Sequence, residues 1–204
     1  MRKPPLLATL TVLLAVGIMI ALGFWQIHRR DWKEAMLARF AAAEQITTPL
    51  IVTGADLPAN AAYRHVRWDC PETRADQVVG GANATGHYGW AHVFVCMHGD
   101  GAATTMVPVV IGWSSGVIPI QWAGGAISGV AVPGPKSGVM LPPTSAGPRE
   151  TAWHIIADPP LAGLMANASP DPRDIPNNHW SYAIQWFAFA ATALIIYALA
   201  LRRR

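Results

Sequence analysis

The sequence predicts a membrane α+β protein in which two transmembrane helices, N- and C-terminal, flank a small β-rich domain of barrel- or sandwich-like form. Three observations carry this expectation. Two apolar runs of spanning length lie near the ends of the chain. Only 13% of the 204 residues are charged and 52% are hydrophobic, a balance natural for a chain with membrane spans. Between the runs, frequent Gly and Pro separate short β-like segments.

The first apolar run covers residues 6–25 after a short basic start that includes Arg2 and Lys3. It is long for the apolar core of a signal peptide and has no small-x-small cleavage site ahead of a polar start, so a retained anchor is expected. Beyond it Trp25, Arg29, Trp32 and Met36 fall on one stripe of a 3.6-residue helix, and an Ala-rich stretch keeps helical propensity high. The helix is therefore expected to continue to about residue 44, ending before Thr47-Thr48-Pro49, because a residue preceding proline is pushed out of helical geometry.

Residues 46–176 form the expected β-rich domain. Strand candidates are 50–53, 63–68, 90–97, 104–111, 116–122 and 129–132. Pro108 places its segment at an edge or a break. One helix is expected over 159–168, before a Pro/Asp/Asn-rich link. The second span, 180–201, opens at Asn177-Asn178-His179-Trp180-Ser181-Tyr182 and closes on Arg202-Arg203-Arg204. Asn178 can cap its first turn, and Trp180, Tyr182 and Trp186 suit the headgroup level. The terminal basic residues favour both termini on the cytoplasmic side, although Arg29, Arg30, Lys33 and Arg39 crowd the other flank of the first span.

Composition excludes several classes. The net charge is only +3, and no basic face interleaved with aromatics suggests nucleic acid. The two cysteines, Cys70 and Cys96, lack zinc-type pairing; they can form one disulfide in oxidising surroundings, though spacing alone does not show that they meet. His92, Cys96 and His98 share strand parity and invite a copper reading, set against a half-buried strand. No phosphate loop, nucleophile elbow or zinc-protease helix is present, and Glu150 and Asp158 are isolated carboxylates, so no catalysis is expected. His179 is the only histidine of the second apolar run. It reads either as a metal ligand or as a plain interfacial residue. Arg29 reads as a partner for a carboxylate or as a snorkelling arginine beside interfacial tryptophans, and Gln185 as a polar group that pairs with the other helix.

Two separated blocks carry a resemblance. Gly23-Phe24-Trp25-Gln26-Ile27-His28-Arg29-Arg30-Asp31-Trp32-Lys33 resembles the first-span signature of the Surfeit locus protein 1 family, and Asn177 to Phe187, with Asn-x-His, Tyr-Ala and Trp-Phe, resembles its second-span signature. Tyr63-Arg64 and Ile111-Gly112-Trp113 are similar to central blocks, but Val110 and Ile111 stand where the family usually has Asn-Arg. The resemblance implies an assembly factor for haem-copper cytochrome c oxidase in a bacterial inner membrane, with the central domain periplasmic. It further implies haem a as cofactor, with His179 as ligand. If the two helices pack, Trp25, Gln26 and Arg29 at the outer end of the first span, and Trp186 on the His179 side of the second, are expected beside it. The implied partners are the oxidase catalytic subunit, the haem a synthesis machinery and membrane lipid. The competing class is a scaffold or accessory subunit that holds oxidase subunits without haem.

Overall fold

Two α-helices, two single-turn 3-10 helices and one seven-stranded mixed sheet make up the regular structure among the described residues of the computed structural model, which are 5–54, 56–98, 105–136, 138–141 and 153–203, with backbone alone at 75 and 76. Arg2, Lys3, Thr104, Glu150 and Arg204 lie outside the described residues. The chain divides into two units, one of Met1–Ala38 with Arg173–Arg204 and one of Arg39–Pro172.

In the first unit, α1 (Leu6–Glu44) and α2 (His179–Arg202) are each long and apolar enough to cross a membrane. They run antiparallel, joined at one end by Thr9 Oγ1 and Tyr197 Oη, 2.5 Å apart, and at the other by Lys33 Nζ, which donates to Pro176 O. Among the less exposed positions are Val12, Val16, Met19, Gly23, Gln26 and Arg30 on α1, and His179, Ala183, Trp186, Ala190, Ala193 and Tyr197 on α2. Both series alternate steps of four and three, the spacing of a seam between packed helices. Small residues bring the backbones close. A Cβ built on Gly23 would lie 2.6 Å from Phe187 Cε1 and Cζ, so only glycine fits there. Leu10, Leu14, Ile18, Ile184, Ile195 and Leu199 face outward, as a lipid-facing surface requires.

In the second unit, β1 (Leu50–Ile51), β2 (His65–Cys70), β3 (Glu72–Ala82), β4 (Tyr88–His98), β5 (Thr105–Ser114), β6 (Gly125–Pro133) and β7 (Trp153–Ala157) form one sheet in the order β1-β2-β6-β7-β5-β4-β3. The pairs β1/β2 and β5/β7 are parallel and the others antiparallel. The expected barrel- or sandwich-like domain is thus met in part: among the described residues the strands form one mixed sheet whose ladder does not close. It is nonetheless rolled. β2 turns into β3 at Pro71, so the covalent chain links the second strand of the order to the last. The ladder also shifts register at His92/Val93 and Arg74/Asp76, and such irregularities add twist.

The roll brings β2 against β4, although three strands separate them in the ladder. Cys70 and Cys96 form a disulfide with Cα atoms 5.4 Å apart. Trp68 stacks on His98 at 4.7 Å, and His98 Nε2 donates to Asp69 O at 2.6 Å. The enclosed face is the main core, built from Val66, Trp68, Phe94, Val109, Ile111, Ile127 and Ile155, with Trp122 edge-on to Phe94 at 5.5 Å. A smaller cluster, Val79, Ala91, Val93 and Val110, is packed by Ile156 and Val139.

Several expectations change on physical grounds. Pro108 occupies a central, fully buried strand rather than an edge. β7 pairs with β5 only at Val109 and Val110, so that ladder starts one residue past the missing N–H. Residues 116–122 form a loop, closed at its start where Ser114 Oγ donates to Gly116 O. Residues 159–168 form no helix. Pro159 and Pro160 lack N–H groups, Ala162 and Gly163 have φ of 51° and 73°, and the backbone bonds instead to Ile111, Trp113 and Ala82. Gly112 makes room for this segment, since a Cβ there would lie 2.3 Å from Leu164 Cβ.

Candidate functional site

His179 opens α2, and the seam places it opposite Gln26 of α1. Nδ1–H of His179 donates to Gln26 Oε1 at 2.7 Å. That bond selects one tautomer: with the proton on Nδ1, Nε2 carries the free lone pair. An imidazole whose second nitrogen is held by a carbonyl is the arrangement that orients histidine towards a metal. Nε2 has no protein partner among the described residues. The residues immediately ahead add polar capacity. Asn177 Oδ1 is buried with no hydrogen-bond partner among the described residues. Asn178 makes no side-chain cap. Its ψ of 9° lies outside the extended geometry that aims a cap oxygen at the first turn, and its main-chain oxygen accepts from Tyr182 N instead.

Of the five residues singled out from the sequence, the structure joins His179 and Gln26 and leaves three outside that bond. Trp25 is 55% exposed. Arg29 lies 4.1 Å over the Trp32 ring, on a face of α1 other than the seam. Trp186 is half-buried one seam step beyond Ala183, its ring edge-on to Phe189 at 6.2 Å. Arg30, not Arg29, turns to α2, with its guanidinium 5.3 Å from the Trp180 ring and ion pairs to Asp31 and Glu34. Gln185 is exposed, and the glutamine that pairs with the other helix is Gln26. The four-three spacing that joins Gln26 and His179 shows in burial and not in the sequence, where seam and lipid-facing positions are equally apolar, so no local signal anticipates their meeting.

Among the described residues the helices pack closely just inside this bond. Phe187 fills the notch at Gly23 and meets Phe24 edge-on at 5.4 Å, while Ala183 and Ala190 are buried against α1. A planar macrocycle therefore does not fit between them. The donor set itself suits haem iron: a neutral imidazole with its tautomer fixed, bordered by apolar and aromatic surface.

The β domain holds the other chemistry-bearing side chains. The copper reading finds no support there, because Cys96 is in the disulfide. His92 Nε2 meets Ser114 Oγ at 2.8 Å, and His98 is committed to Asp69 and Trp68. Among the described residues no three His, Cys, Asp or Glu side chains come together as a metal site. His154 is 8% exposed and bonds through Nδ1 to Gly134 O at 2.9 Å. Burial pushes its pKa down, the Gly134 carbonyl raises it in part, and nearby Lys136 lowers it further. Burial likewise lowers Lys136. A shallow groove of about 390 Å³ runs along β2 and β6, between Ile51, Arg67, Asp69 and Ser128.

The family model described as SURF1 family matches residues 13–191, most of the chain and both helices of the pair. No curated protein matches the chain.

Proposed function

The chain belongs to the SURF1 family, which is associated with cytochrome oxidase assembly, and we propose that it binds haem a through His179 and assists insertion of that haem into the oxidase catalytic subunit. The observation that carries this reading is the Gln26–His179 hydrogen bond, which fixes the tautomer and reserves Nε2. Haem, when bound, supplies an iron that takes imidazole as an axial ligand. The seam is closed, so the macrocycle would rest against the outer side of the helix pair rather than within it. Arg29 is then no partner for a carboxylate in the seam. The β domain, stapled by a buried disulfide, belongs to an oxidising compartment. Together with two spans, that supports termini in the cytoplasm and the domain in the periplasm of a bacterial inner membrane.

The closed seam favours a second reading, a scaffold that holds oxidase subunits and never takes haem. The two readings separate by haem content. Full-length protein purified from cells that make haem a should carry it in stoichiometric amount under the first. Haem-free, folded protein that still co-purifies with oxidase subunits would establish the second.

A further inference from the structure

The end of the apolar part of α1 carries a basic group that the protein itself does not neutralise. Asp31 and Glu34 both pair with Arg30, and Lys33 donates to Pro176 O. Arg29 has no carboxylate or carbonyl partner among the described residues, and its guanidinium lies 4.1 Å over one face of Trp32. That contact holds the guanidinium against the indole while Arg29 stays exposed, so its N–H groups remain open to an outside acceptor. Trp25 lies one turn closer to the apolar run and Trp32 one turn further out, at 55% and 46% exposure. The stripe Trp25, Arg29, Trp32, Met36 contains no acid and faces away from the seam with α2.

We propose that Trp25, Arg29 and Trp32 form a binding site for the phosphate of an anionic phospholipid at the membrane surface. The guanidinium edge matches two phosphate oxygens, and the two indoles flank it at the depth where amphipathic rings settle. An exposed guanidinium with no internal counter-ion supplies the charge complementarity. The surrounding excess of basic over acidic residues prefers a lipid with net negative charge. The inference rests on α1 spanning a membrane and is independent of haem.

The test is native mass spectrometry of the full chain, released from detergent loaded with equal phosphatidylglycerol and phosphatidylcholine. Wild type should retain phosphatidylglycerol in preference, and Arg29→Gln should reduce the preference roughly tenfold, the worth of a charge-assisted hydrogen bond. Arg29→Lys should fall between them, and Trp32→Leu, which removes the platform, should weaken retention while Arg29 remains. Gly17→Ala, in the apolar part of α1 with nothing within 4 Å of the added Cβ, should change nothing. Equal retention of both lipids by wild type, or an unchanged preference in Arg29→Gln and Trp32→Leu, would overturn the site. Displacement of the lipid by millimolar inorganic phosphate would overturn its assignment to lipid.

Discussion

Gly23→Ala is the smallest change that should loosen the helix pair. The added Cβ would lie 2.6 Å from two atoms of the Phe187 ring, where ordinary contact begins at 3.4 Å, so ring and backbone must separate by about 0.8 Å. The ring cannot swing away freely, because it is held edge-on to Phe24 at 5.4 Å. Overpacking of this kind costs about 1–3 kcal/mol. Gly17 provides an internal control on the same helix: nothing lies within 4 Å of its added Cβ, so Gly17→Ala should be neutral or stabilising by about 0.5–1 kcal/mol through helix propensity. Unfolding of the full chain in mixed micelles, titrated with a denaturing detergent, measures both. Phe187→Leu removes the two ring atoms in conflict and should restore most of the loss in the double variant. The packing argument fails if Gly23→Ala is as stable as wild type, or if Phe187→Leu brings no recovery.

Three further outcomes follow from named contacts. Gln26→Leu releases Nδ1 of His179 and should lower haem retention by about 10- to 100-fold, the usual effect of losing such a support, with helix content unchanged by circular dichroism. Cys70→Ala/Cys96→Ala opens a 26-residue loop and removes the covalent tie between β2 and β4. It should cost the β domain roughly 3 kcal/mol in a denaturant titration. His154 is held neutral by burial, so the unfolded chain takes up its proton at a higher pH than the native one does. Its contribution is complete above about pH 6.5 and declines as pH falls towards the lowered native value. Thermal unfolding between pH 7.5 and 5 should show that decline in wild type and a flatter profile in His154→Gln.

The parts of this protein legible in its sequence are those whose cause is local. Uninterrupted apolar length identifies both helices, and the Trp-rich, basic stretch after residue 25 marks where lipid contact ends. Short apolar runs locate β2, β4 and β5. What stays hidden depends on partners distant in the chain. β3 reads as polar because it is an edge strand, with Glu72 and Arg74 facing water and Gln77 bonded to the Met140 backbone. β7 has no alternation because it is buried between β6 and β5. The Cys70–Cys96 bond depends on the roll of the sheet, which no spacing reveals. At the candidate site His179 stands out as the lone histidine of an apolar run, whereas Gln26 gains its role only when the helices register. Arg29 shows the converse: sequence places it beside Gln26, and helical geometry turns it to another face.

The proposed coordination of haem by His179 is tested most directly by chemical rescue. Full-length His179→Gly and wild type would be purified from cells that make haem a, and their visible absorption compared before and after addition of haem a with free imidazole. The Gln26-oriented ligand predicts a haem band in wild type, its loss in His179→Gly, and its recovery when imidazole occupies the vacated place. An equal band in both proteins without imidazole would show that iron is held elsewhere, and His179 would then be a seam residue and nothing more.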